Sequence, residues 1–315
     1  MLGIATLVSL VAPYKLGLVR GNLRAKIGEL PMSKFAKLCS AIGVSVLAGL
    51  VSGAQAAPQA SPSPPDFAPS DQVGWIALSS EFIAPSSGPG PLMDDPAHPY
   101  VSNAIAARTG QIPTFPVGDI GNPILQPWAR EAVRKHNELV LSGKAAYTMQ
   151  ARCWPMGVPA FLLYPVRPVY FVQTPKEVLM TWTGDHVSRH IYLDVPHSRG
   201  LKPTWFGESV GHYEGDALVV DTIGLNDRTF LDNFRTPHTE QLHVVQRYQM
   251  LDGGKTLEVR IHVEDPGAFT TPWDAIQRYR RVEGSPMDEE TCAEGARDYF
   301  GQEAEPIPQA NKPDF

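Results

Sequence analysis

The chain has 315 residues, 43% of them hydrophobic and 19% charged, with a net charge of −6. That apolar fraction excludes whole-chain disorder, and the acidic balance argues against a nucleic-acid partner. Its 30 prolines, about double ordinary usage, disfavour an all-helical fold, because proline breaks helix interiors.

The N-terminal region reads as an export signal. Lys34 and Lys37 give a positive start after Met32, residues 38–51 form a short apolar run, and Ala54-Gln55-Ala56 is an A-x-A cleavage pattern. A signal begins at its methionine, so Met32 is the expected true start and residues 1–31 a mis-assigned extension. An N-terminal membrane anchor is the alternative. No later stretch is apolar and long enough to span a bilayer. Cleavage after Ala56 removes six basic residues and one acidic residue, which takes the charge from −6 to −11. It also removes Cys39. Cys153 and Cys292 remain, and in an oxidising compartment they most simply form one disulfide. Closing so long a loop is worth about 4–5 kcal/mol on the chain-entropy model. Two free thiols are the alternative.

Residues 57–73 are Pro- and Ser-rich and read as a linker. Residues 74–125 stay rich in Pro and Gly and read as an irregular arm. A helix follows from Pro127 to Leu141, stopped by Ser142-Gly143. Trp128, Ala132, Leu139 and Val140 are its expected buried face, with Glu131 and Lys135 paired on the other. Beyond Arg152 the pattern changes to strands, expected at 160–173, 177–183, 186–194, 217–223, 242–251, 256–264 and 275–282. Glu214-Gly215-Asp216 and Asp252-Gly253-Gly254 read as hairpin turns. The expected fold is mainly β: an antiparallel meander over 126–315, curled into a lipocalin-like barrel or a two-layer sandwich. A short closing helix is expected at 288–300.

Eight of the nine histidines lie between His136 and His262, in a region also dense in acids and arginines. Strand parity sorts them. Leu242, Val244, Gln246 and Tyr248 share one face, and His243, Val245 and Arg247 the other. Arg189, Ile191 and Leu193 oppose His190, Tyr192 and Asp194. Leu218 and Val220 oppose Val219, Asp221 and Ile223. A barrel whose polar faces point inward would bring His190, Tyr192, Asp221, His243 and Arg247 together. The segment 222–242 is long for a hairpin connection and carries Asn226, Asp227, Arg228, His238 and Thr239, as a functional lid would.

Gly207-Glu-Ser209-Val-Gly211 matches G-x-S-x-G, but a nucleophile elbow needs a strand–turn–helix, and here a hairpin follows. The pairs His186/His190 and His238/His243 have metal-compatible spacings, but no H-E-x-x-H accompanies them, so no metal is expected. No dinucleotide fingerprint or P-loop is present. The expected cofactor list is therefore empty.

The run from Trp205 to Asp232 resembles a large family of exported bacterial proteins with the pattern W-x-G-x-S-x-G-x-W-E-G-D-x-L-V-V-D-T-x-G-F-N-D. The similarity extends over about 152–295, through Arg152-Cys153, Arg189 to Asp194, Pro237-His238-Thr239, Leu242 to Tyr248 and Glu264 to Trp273. Tyr213 replaces the pattern's Trp, Leu225 its Phe, and Gln246 a common Glu. The resemblance implies cofactor-independent lyases or decarboxylases of lignin-derived aromatic acids. On that reading the protein is a periplasmic acid–base enzyme acting on a small aromatic carboxylate. Arg189 or Arg247 would clamp the anion, with Trp205 and His190 also in the binding site. His243 or His238 would move the proton, oriented by Asp227 or Asp221. Tyr192 and Asn226 would meet developing oxyanion charge. The alternatives are a non-catalytic small-molecule-binding barrel, a metal-dependent or serine hydrolase, and an envelope assembly protein using the Pro-rich arm. The oligomeric state stays open.

Overall fold

The computed structural model describes residues 63–144, 149, 153–165, 167–182, 187–285, 287, 298–299 and 302–303. They belong to the unit Pro58–Phe315. The expected extension and signal, Asp185, His186 and Cys292 lie outside the described residues.

Nine strands close into a barrel: β1 Gly74–Ala77, β2 Val169–Gln173, β3 Glu177–Trp182, β4 Val187–Leu193, β5 Glu208–Glu214, β6 Ala217–Ile223, β7 His243–Leu251, β8 Thr256–Glu264 and β9 Trp273–Val282. Each pairs with the next, and β9 returns to β1. Alternation makes the barrel. On β7 the buried positions are Val244, Gln246 and Tyr248; on β8 they include Val259, Ile261 and Val263; on β9 they are Trp273, Ala275, Gln277 and Tyr279. Closure leaves no sheet edge, and the inward residues fill the lumen. Gly215 and Gly253, at φ 63° and 66°, supply the left-handed positions that the β5–β6 and β7–β8 hairpins need.

The barrel and its hairpins match the expectation; several details do not. The arm is not wholly irregular. Its β1 pairs with β9 over four residues and completes the cylinder, so the barrel reaches N-terminal of residue 126. The meander is interrupted as well. β4 and β5 run parallel, Ile191 opposite Ser209 and Leu193 opposite Gly211. A parallel pair needs a crossover, and segment 194–207, with Pro196, Gly200 and Pro203, runs back along the barrel to supply it. Residues 160–173 are not one strand. Ala160–Leu163 forms a 3-10 turn, entirely buried, and only Val169–Gln173 is extended. A short apolar run does not by itself separate strand from buried turn, and Pro165 and Pro168 break this one. The turn plugs one end of the lumen: the Leu162 carbonyl accepts from the Tyr279 hydroxyl at 2.8 Å and from Gln277 Nε2 at 3.3 Å. At the C-terminal side, Asp298–Tyr299 pairs with Gln302–Glu303, so the expected helix does not run to residue 300; residues 288–297 lie outside the described set.

Among the described residues two helices lie outside the lumen, α1 Asn103–Thr109 and α2 Pro127–Leu141. α2 has the expected bounds and starts with proline, but it is rotated from the expected face. Ala129, Val133 and Asn137 are buried, whereas Trp128 is 46% exposed and donates its indole N–H to the Gly267 carbonyl at 2.7 Å. The Asn137 amide both donates to and accepts from the Gly118 backbone, which attaches the arm to the helix. Glu131 is 3.9 Å from Lys135 and closer, at 2.6 Å, to Arg134.

Candidate functional site

One end of the barrel carries the end of β3, the start of β4, the plug Ala160–Leu163, the end of the crossover and the loop 224–242. Just inside it, four neighbouring strands place polar side chains on their apolar parity. β4 contributes Arg189, β5 Ser209, β6 Thr222, and β7 Gln246 and Tyr248, all buried. Arg189 is 2% exposed. Its Nε donates to Ser209 Oγ at 3.0 Å, Nη2 to Thr222 Oγ1 at 2.7 Å, and Nη1 to Gln246 Oε1 at 2.7 Å and the Tyr248 hydroxyl at 3.2 Å. Ser209 and Thr222 share a further hydrogen bond of 3.0 Å. The Phe161 ring of the plug lies 5.3 Å from the guanidinium carbon, within cation–π range.

Every one of these partners is neutral. Among the described residues no carboxylate pairs with Arg189. Burial pushes its pKa below the ordinary value, with Tyr248 opposing the shift, yet an arginine stays protonated at neutral pH. An unpaired buried cation is costly. A guanidinium has five N–H groups, and these bonds use four. Two more donors nearby are buried without a partner, Gln246 Nε2 and Trp182 Nε1. Arg189 and Trp182 line one cavity with Phe161, Met180, Val187 and Phe206. It has about 10 Å³ of space for a water centre, room for about one water. Thr181, Val187 and Phe206, at its rim, are only partly buried. Among the described residues the interior therefore offers charge and donors and no anionic acceptor. A larger depression of about 400 Å³ lies between Gly88–Gly90, residues 122–124 and Thr270-Thr271, but no charged side chain lines it.

The other expected site residues do not enter the lumen. Strand parity sorted them correctly, but the polar set faces outward. His190 is exposed and pairs with Glu177, and Tyr192, 44% exposed, stacks on it. Arg247 pairs with Glu214 at 2.5 Å on the outer face. Asp221 and His243 belong to an alternating row across β5–β9. His197 lies 3.0 Å from Glu208, and His197 and His243 approach the same Asp221 oxygen at 3.1 and 3.0 Å. His243 lies 3.4 Å from Glu264; His262 lies 3.1 Å from Glu264 and 2.7 Å from Asp274. A neutral imidazole has one N–H, so His262, between Asp274 and Glu264, donates from both ring nitrogens only as imidazolium. Burial alone would lower the His262 pKa, but its bonds to Asp274 and Glu264 raise it. Contacts from His262 and His243 lower that of Glu264. The row ties the crossover to the sheet, and it is separate from Arg189.

His238 is buried in the loop 224–242, with Nε2 2.8 Å from Thr229 Oγ1 and Nδ1 3.1 Å from the Thr239 carbonyl. Burial lowers its pKa, partly offset by Thr239, Asp265 and Asp227. Asp227 itself is exposed. Asn226 braces the loop: its N–H donates to the Thr204 carbonyl, and its Oδ1 accepts from the Arg228 N–H. Trp205 packs at 5.2 Å on Trp154, with Arg228 over its ring. Cys153 is disulfide-bonded. Ser209 of G-x-S-x-G lies inside β5 against Arg189 and Thr222, with no imidazole on it among the described residues.

Among the described residues no group of three or more His, Cys, Asp or Glu is arranged to hold a metal ion, and no helix is long and apolar enough to cross a membrane. Comparison of the chain with protein-family models, curated proteins and solved structures finds no match.

Sequence reasoning named Arg189 but missed its partners Ser209, Thr222, Gln246 and Tyr248 as site residues. The available signal was parity: Arg189 alternates with Ile191 and Leu193, and Gln246 with Val244 and Tyr248, so both stand on apolar faces.

Proposed function

We propose that the protein is an exported, periplasmic small-molecule-binding barrel that receives an organic carboxylate on Arg189. The observation that carries this reading is a buried guanidinium held by neutral partners, with a spare N–H and no counter-ion among the described residues. A carboxylate supplies the missing charge and accepts two parallel N–H bonds, the geometry that arginine suits. Phe161, Trp182 and Phe206 around the cavity favour an aromatic acid. The cavity now has room for about one water, so a ring enters as Phe206 and the chain beside it move outward. Export is supported by the A-x-A segment and by the disulfide at Cys153, which belongs to an oxidising compartment.

The lyase reading shares the same arginine but needs a proton carrier beside the bound acid. His243 lies on the outer face, and His238 is enclosed in its loop against Thr229. Binding is therefore the reading the geometry supports best. Calorimetric titration with benzoate and its neutral analogue benzamide tests it. Benzoate is expected to bind at least tenfold more tightly. Equal affinities, or no binding of either, would contradict it.

A further inference from the structure

We infer that Gln246 sets the charge selectivity of the barrel: it gives Arg189 a neutral acceptor, so that the counter-charge comes from the ligand. This rests on the reading of Arg189 as the anion receptor. Gln246 is fully buried on β7, and its Oε1 lies 2.7 Å from Arg189 Nη1. Among the described residues no side chain on Arg189 carries charge; Ser209, Thr222 and Tyr248 are hydroxyls and Gln246 an amide. Position 246 is thus where the fold either neutralises the guanidinium or leaves it positive.

The amide leaves it positive and adds donors. Gln246 Nε2 is buried with no partner. With the fifth guanidinium N–H and the Trp182 indole N–H, the interior holds unused donors and a positive charge together. A water satisfies some of these donors but not the charge. A carboxylate satisfies both. A glutamate of the same length at this position would form a buried, charge-assisted pair with Arg189 and remove the reason for an anion to enter. Gln246 is thus a specificity residue, choosing anionic over neutral ligands.

The test is the ratio of benzoate to benzamide affinity in the full-length protein and its variants. Gln246→Glu is expected to bind benzoate at least tenfold more weakly than wild type and to lose the preference over benzamide. Gln246→Met, uncharged and without donors, is expected to keep the preference while its benzoate affinity falls a few-fold. A wild-type ratio in Gln246→Glu overturns the inference. Should that variant fail to fold, an unchanged benzoate affinity in Gln246→Met overturns it instead. Arg189→Met separates the two levels. If it binds benzoate as wild type does, the receptor reading and the inference both fall. If it loses benzoate while Gln246→Glu does not, only the inference falls.

Discussion

Arg189→Met is expected to weaken benzoate binding by about ten- to a hundredfold while the barrel still folds. A hydrogen bond to a charged group is worth about 1.5–3 kcal/mol, and each 1.4 kcal/mol is about a tenfold change in affinity. The fold survives for a physical reason. Methionine fills much of the same length without a charge to desolvate, and replacing a buried charge by an apolar side chain is often close to neutral for stability. Ser209 and Thr222 keep their mutual hydrogen bond. Arg189→Lys retains charge but loses the fork that reaches Ser209, Thr222 and Gln246 at once, so its affinity should fall between the two. Titration with benzoate, alongside urea unfolding, measures both quantities. Undiminished affinity in Arg189→Met would remove the arginine from the site.

Gly207→Ala should destabilise the protein by about 3–5 kcal/mol, the sum of a left-handed backbone penalty and a forced backbone shift. Gly207 has φ 61°, and a Cβ there would sit 2.3 Å from the Ile223 carbonyl oxygen. The nearest atoms include the Ile223 backbone, with the Leu225 side chain further off at 3.1 Å, so moving a side chain does not relieve the clash. Gly211→Ala is the instructive comparison. Its Cβ would meet the Ile191 Cγ2 methyl at 2.8 Å and the Val219 carbonyl at 3.1 Å, at a backbone conformation open to alanine, so its cost should be smaller. Urea unfolding of both variants gives the numbers. A Gly207→Ala cost below about 1 kcal/mol, within the range of ordinary surface changes, would contradict the argument. The larger cost explains the G-x-S-x-G spacing without a nucleophile: the first glycine lets β5 start against the end of β6, the serine faces Arg189, and the second lies under Ile191.

The barrel was readable because its strands are strongly periodic. β6 and β8 have the bounds that alternation alone predicts, and the hairpins fall on Glu214-Gly215-Asp216 and Asp252-Gly253-Gly254. β1 was hidden because four residues among prolines carry too little pattern, and β2 gives it a single paired position, Trp75 with Val169. The parallel β4–β5 pair was hidden because pairing direction is decided by what the 194–207 crossover packs against, not by strand composition. The site was half readable. Periodicity separated the two faces of β4 and β7, but a search for clustered histidines and acids favoured the wrong face. Water solvates an outward row such as Asp221, His243 and Glu264 at little cost. A single arginine or glutamine on the apolar face is the costlier placement and the stronger sign. Gln246 stands directly on Arg189.

The most direct test is to locate a carboxylate in the protein itself. Crystals grown with 4-bromobenzoate place the ligand by the anomalous signal of bromine. One bromine peak is expected at the barrel end between Phe161, Trp182 and Phe206, with the carboxylate on the Arg189 guanidinium and close to Gln246 Nε2. A bromobenzoate bound elsewhere, with Arg189 still held only by Ser209, Thr222, Gln246 and Tyr248, would contradict it.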